Sequence, residues 1–123
     1  MSNQTFLVQK LSAQASTLSS ADADNLSAFG GHIVIDVTAI TGTTPTLTVS
    51  VEGKDPVSGK YYTILTSAAI STVSTTVLRI FPSATASANT IANDIIPRTF
   101  RVTSTLGGTT PVVTATIVAN FVD

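Results

Sequence analysis

Apolar and polar residues alternate along several stretches of this chain, as they do in β-strands that bury one face. Between residues 32 and 40 the apolar side chains stand at alternate positions: Ile33, Ile35, Val37 and Ala39. Residues 46–52 read T-L-T-V-S-V-E, which is the cleanest alternation in the chain. Because successive side chains of a strand point to opposite faces, both stretches predict half-buried strands. Val34 and Ile40 add apolar positions on the second face, so we expect the first strand to be partly covered on both sides.

The same pattern predicts further strands over residues 61–65, 76–81, 98–105 and 112–122. In the third of these, Phe100 and Val102 face opposite to Arg101 and Thr103. In the last strand one side carries Val113, Ala115, Ile117, Ala119 and Phe121. Residues 5–10 show a weaker alternation that is also compatible with a strand.

Glycine and proline clusters separate the predicted strands. Residues 41–45 (TGTTP), 53–60 (GKDPVSGK) and 107–111 (GGTTP) each predict a turn, because glycine tolerates positive φ and proline cannot donate to a strand ladder. The second of these predicts a hairpin loop. Residues 83–93 are small and polar, and we expect a loop or one helical turn there.

Six to eight short strands without an amphipathic helix predict an all-β fold, an antiparallel β-sandwich or jelly roll. The 123-residue length fits a single domain with one core. We assign residues 30–123 to the sandwich domain. Residues 1–29 have a weaker pattern and predict an N-terminal arm, less regular than the rest, or the first strand(s).

The composition excludes several classes of function. Charged residues make up 11% of the chain and the net charge is −1, so the chain has few cationic side chains with which to bind the phosphates of nucleic acid. The absence of cysteine rules out disulfides and thiol nucleophiles. Apolar runs are too short for a membrane-spanning helix. The N-terminal residues lack the pattern of a signal peptide, so we expect a product made inside the cell without an export signal.

Few side chains are placed for catalysis or metal binding. Glu52 and Asp55 lie near each other in sequence, but the ordinary interpretation is a solvent-facing strand residue and an Asp-Pro turn initiator. A calcium site would need six or more oxygen ligands, which this stretch does not offer. His32 follows two glycines at the start of a strand, and local hydrogen bonding is the simpler role. We therefore expect no catalytic residues, no metal and no cofactor.

Arg98 and Arg101 flank Phe100 and have two interpretations. The first is that they are ion-paired, with partners such as Asp94 or Glu52. The second is that they belong to an interface, because arginine is enriched at contacts between proteins. The sequence leaves both open.

Serine and threonine occupy 36 positions, and threonine suits the outer face of a strand without adding charge. When another protein covers such a surface, few charged groups lose their hydration, which suits a protein that works inside an assembly. It is less typical of a carbohydrate-binding module, which stacks sugars on exposed aromatic residues. Only Tyr61 and Tyr62 are available for that role.

Three segments resemble a group of small virion proteins from tailed bacteriophages, the head decoration or capsid cement proteins and related structural proteins. They are residues 31–38 (GHIVIDVT), 46–62 (TLTVSVEGKDPVSGKYY) and 97–102 (PRTFRV), in this order and spacing. The resemblance covers roughly residues 30–121. Phe100 stands where the resemblance leads us to expect an aromatic residue, often tryptophan.

The resemblance implies a mechanical, non-enzymatic function on the outer surface of a virion. Such a protein binds the major capsid protein at symmetry-related sites, bridges neighbouring subunits and stabilises the shell, usually as a homodimer or homotrimer. For the N-terminal arm we expect Phe6, Leu7 and Val8 to reach a partner by strand addition. Two alternatives stay open: a tail or baseplate component of the virion, and a carbohydrate-binding β-sandwich module.

Overall fold

The computed structural model describes residues 3–122, which form eight β-strands and no helix. The strands are β1 Asn3–Gln14, β2 Leu18–Ser19, β3 Ala23–Asp24, β4 Gly30–Lys54, β5 Tyr61–Thr66, β6 Ser74–Ile80, β7 Ile91–Ala92 and β8 Thr99–Val122. All belong to one sheet with the order β1-β8-β4-β6-β7, while β2 and β3 pair with β8 and β5 pairs with β4. The all-β prediction is confirmed. The pairing is antiparallel except for the short parallel pair of β6 and β7.

Two long strands, β4 and β8, form the centre of the sheet and pair with each other over most of their length. The turns predicted at residues 41–45 and 107–111 are wrong, because both segments lie inside these strands. Their register shifts mark β-bulges, in which Gly42 and Gly108 have φ angles of 129° and 96°. Glycine adopts positive φ in β-bulges as well as in turns, so a glycine in the sequence does not distinguish the two.

The two long strands double back at these bulges. If β8 were straight, Phe100 and Phe121 would lie about 70 Å apart, at roughly 3.3 Å per residue. Their ring centroids are nevertheless 5.4 Å apart. The sheet therefore folds over into two facing halves, an arrangement consistent with the predicted sandwich.

We call these halves the first and second half-sheets. The first contains β1, β6, β7 and the paired segments 30–41 of β4 and 112–122 of β8. The second contains β2, β3, β5 and the paired segments 46–54 of β4 and 99–107 of β8. The bulges lie at one end of the molecule. The opposite end, which carries segments 25–29, 55–60 and 81–98, the last of them interrupted by the two residues of β7, is the loop end.

The core fills the space between the half-sheets, and its members come from both. The inward positions predicted for the last strand are confirmed, since all five are buried, and Phe100 and Val102 are buried as well. The two aromatic rings Phe100 and Phe121 are among the largest fully buried side chains. Ala39 departs from the expected pattern and is exposed, because a register shift between Val37 and Ala39 moves it off the inner face.

Buried polar side chains tie the half-sheets together along one side. The Ser104 hydroxyl donates to Oε1 of Gln9 at 2.6 Å, and Nε2 of Gln9 donates to the carbonyl of Leu18 at 3.0 Å. Asn25 donates through Nδ2 to the carbonyls of Ala28 and Ile96. Because these buried polar side chains all have hydrogen-bond partners, which offset the cost of removing them from water, the contacts hold β1 and the loop end in place.

Residues of the predicted N-terminal arm contribute three strands to the sheet. β1 pairs with β8 from Asn3↔Val122 to Gln14↔Val113, and β2 and β3 pair with the start of β8. None of the described residues forms a helix long and apolar enough to cross a bilayer.

Candidate interaction surfaces

The three apolar residues predicted to reach a partner from the N-terminal segment do not share one environment. The Phe6 ring packs against Phe100 and Phe121, with centroids 6.2 and 5.6 Å away, and Val8 also packs against the core. Leu7 points outward and is 55% exposed. Only Leu7 is therefore free to contact another molecule through its side chain. β1 is the outermost strand of the sheet order, and strand addition along its other edge stays a prediction.

Arg101 lies on the outer face of the second half-sheet and is fully engaged there. Its Nε is 2.8 Å from Oε1 of Glu52, and its guanidinium lies 3.5 Å from the centroid of the Tyr61 ring. The same Glu52 oxygen accepts a hydrogen bond from the Thr103 hydroxyl at 2.7 Å. This geometry agrees with the ion-pair interpretation of Arg101.

A second group of contacts continues from Tyr61. The Asp22 carboxylate accepts hydrogen bonds from Lys54 at 2.8 Å and from the Tyr61 hydroxyl at 2.6 Å. The hydrogen bonds from Lys54 and Tyr61 lower the pKa of Asp22, and the bond to Asp22 raises the pKa of Lys54. The polar side chains on this face therefore satisfy one another, and Arg101 covers one face of the Tyr61 ring.

The loop end carries much of the exposed apolar surface. Five of the ten large apolar side chains exposed among residues 3–122 belong to it, and a sixth, Tyr62, lies beside it in β5; the five are Leu26, Phe29, Val57, Phe81 and Ile95. Backbone hydrogen bonds bring their segments together, since Phe29 donates to the carbonyl of Val122 and Ile96 donates to that of Phe29. We call the four from residues 25–29 and 81–98 the loop-end cluster: Leu26, Phe29, Phe81 and Ile95.

A groove of about 600 Å³ borders the loop-end cluster. Its lining combines apolar and charged side chains: Lys54, Asp55, Pro56, Tyr62, Ile95, Pro97, Arg98 and Thr99. Arg98 is exposed, and within residues 3–122 its side chain takes part in neither of the two ion pairs, Lys54–Asp22 and Arg101–Glu52. The two arginines therefore belong to different surfaces, and an interface role for Arg98 stays a prediction.

The acidic residues near the groove have local structural roles. Asp55 accepts hydrogen bonds from the Val57 amide and the Ser58 hydroxyl, both at 2.9 Å, and these contacts lower its pKa. This is the turn-initiating role expected from the Asp-Pro sequence. Glu52 is taken up by Arg101 and Thr103, so it does not join Asp55 in a common site.

The loop-end cluster was not anticipated from the sequence. Leu26 and Phe29 occur singly among small and polar residues, Ile95 stands beside Ile96, and all three lie outside any alternating stretch. The sequence feature that could have pointed to these residues is the occurrence of large apolar side chains in segments otherwise typical of solvated loops. Only the doubling of the sheet, which places both segments at the same end, makes these residues neighbours.

Comparison of the chain with protein-family models, curated proteins and solved structures finds no match. The functional interpretation therefore depends on the surfaces described above and on the resemblance of residues 31–38, 46–62 and 97–102 to virion proteins.

Proposed function

We propose that this protein is a non-enzymatic structural protein of a bacteriophage virion, a decoration protein that binds the outer capsid surface and stabilises the shell. The observation that carries the proposal is the loop-end cluster with Arg98 at its border. It gives the molecule one end suited to contact with a larger protein surface.

The loop-end cluster has the chemistry of a protein contact. Large apolar side chains that are exposed together mark interaction sites more often than scattered ones do. Phe29 and Ile95 are 62% and 55% exposed, and covering apolar surface contributes about 25 cal/mol per Å². Arg98 adds a charged group of the type enriched at interfaces. The partner that we propose for this end is the major capsid protein.

The remaining surface suits repeated assembly. Polar contacts on the outer face of the second half-sheet are made within the molecule, by the Glu52–Arg101 pair and the hydroxyls of Ser50, Thr66 and Thr103. The low charge content gives little repulsion between neighbouring copies. Many weak, identical contacts on a shell then add to a large total stabilisation.

Capsid binding by variants of the loop-end cluster tests the proposal. Phe29→Asp and Ile95→Asp place charges in the cluster, and we expect both to lose occupancy on purified expanded capsids measured by co-sedimentation. Val73→Asp is the matched control, because Val73 is 63% exposed and lies outside the cluster. Unchanged occupancy of both cluster variants contradicts the proposal. Deleting β1 would not test capsid binding cleanly, because that deletion also removes Phe6 and Val8 from the core.

A carbohydrate-binding role is the second candidate, and the groove favours it. Tyr62 is 48% exposed beside Arg98, Asp55 and Thr99, which is a combination of aromatic and polar groups that sugars use. Glycan-array binding that Tyr62→Ala abolishes, together with full capsid occupancy by that variant, supports this second role. A tail or baseplate position is distinguished by copy number in the virion.

A further inference from the structure

The outer face of the first half-sheet carries an apolar row that crosses four strands. In-register pairs join Leu7 to Val118, Val118 to Val34, and Val34 to Val77, so the four side chains lie side by side on one face. None of the four packs against the core cluster, and the three valines are only half-buried. The expectation that this strand is covered on its second face at Val34 stays a prediction.

The rows on either side of this apolar row differ in charge. One flanking row consists of Thr5, Asn120, His32 and Arg79. The other consists of Lys10, Thr116, Asp36 and Thr75. Arg79 and Asp36 are therefore on opposite sides of the apolar row and on neighbouring strands. His32 and Asp36 are on the same strand, one on each side.

We propose that a second copy of this chain docks on this face, related by a two-fold axis that runs along the apolar row. Such an axis places each row member opposite its own counterpart. It also turns the flanking row with Arg79 and His32 onto the flanking row with Asp36, so that His32 of one copy faces Asp36 of the other and Arg79 faces Thr75, one strand from Asp36. An axis parallel to the strands instead places Arg79 opposite Thr5 and Asp36 opposite Thr116, and only Lys10 of the other copy then lies one strand from Asp36. Because only the axis along the apolar row brings two basic side chains, His32 and Arg79, close to Asp36 of the other copy, this pattern favours a second copy related by that axis.

The available area fits a specific but modest interface. Four strands about 4.8 Å apart and about 30 Å long present roughly 600 Å² on each copy. The total of about 1,200 Å² is at the lower limit of specific protein interfaces. Antiparallel sheets pack face to face in this way at about 10 Å. This inference does not depend on the proposed virion function, because it concerns the free protein in solution.

Cysteine cross-linking tests the geometry directly, since the chain has no cysteine and a single introduced thiol forms a disulfide only between copies. We expect Val34→Cys and Val118→Cys each to give a covalent dimer under mild oxidation. Thr48→Cys, on the outer face of the second half-sheet, is the matched control and stays monomeric. Equal cross-linking of Thr48→Cys, or no cross-linking of either valine variant, overturns the proposal. Thermal melting confirms that each variant is folded.

Charge exchange tests the axis. We expect Arg79→Asp to weaken dimerisation about tenfold or more by light scattering across a concentration series, and Arg79→Asp combined with Asp36→Arg to restore it. A wild-type protein that is monomeric throughout the series overturns the proposal. An Arg79→Asp variant that dimerises as well as the wild type overturns the assigned axis.

Discussion

Replacing Phe121 with alanine tests whether the two half-sheets pack against each other as described. The side chain is 1% exposed and its ring contacts those of Phe6 and Phe100, which come from β1 and from the opposite end of β8. A buried phenylalanine hides about 150–250 Å², and at about 25 cal/mol per Å² this gives roughly 4–6 kcal/mol as an upper bound. We therefore expect Phe121→Ala to lower the free energy of unfolding by about 3–5 kcal/mol.

Urea denaturation measures this loss, and a thermal melt provides a second reading. For a domain of this size each kcal/mol corresponds to roughly 3–5 °C, so the expected decrease in Tm is about 9–25 °C. Phe81→Ala is the matched control, because that ring is 43% exposed and we expect its loss to cost about 1 kcal/mol or less. A cost for Phe121→Ala no larger than that for Phe81→Ala refutes the packing of the two half-sheets.

Three further predictions follow from single contacts. A Cβ on Gly108 would clash with the backbone oxygen of Thr44, whereas one on Gly59 would meet no atom within 4 Å. Both glycines have positive φ, so the clash is the difference between them, and Gly108→Ala is expected to destabilise by at least about 1 kcal/mol more than Gly59→Ala in urea denaturation. Asp55→Asn is expected to be less stable than the wild type at neutral pH, because the pKa of Asp55 is lowered in the folded state. This difference in stability should disappear as the pH falls through that lowered pKa, below about 4. A difference that persists at such low pH contradicts the role assigned to the Asp55 carboxylate. A double-mutant cycle with Arg101→Met and Glu52→Gln should give a coupling of about 0.2–1 kcal/mol that decreases with salt, and zero coupling at low salt rejects the ion pair.

Side-chain alternation predicted which faces are buried because burial in a strand has a strict period of two residues. Phe100, Val102 and the inward positions of the last strand follow this rule, and the ladder of β4 with β8 holds their register. The alternation of side chains does not indicate where a strand ends. Gly42 and Gly108 therefore predict turns, although the strand ladder continues on both sides of each glycine.

The candidate surfaces were only partly predictable for a related reason. Arg98, Arg101 and Leu7 were recognised as interface candidates from residue type and position. Their separation onto different surfaces depends on the doubling of β8, which is a long-range property. The apolar row likewise joins residues from four strands, and it becomes visible only once the register of those strands is known.

The virion role is tested most directly by the copy number of this protein in purified particles. Quantitative mass spectrometry of virions from the source organism, calibrated against the major capsid protein, gives that number. A decoration protein that occupies symmetry-related sites over the shell is expected at hundreds of copies per particle. A handful of copies points to the baseplate or connector, and no copies in intact particles contradicts a structural role in the virion.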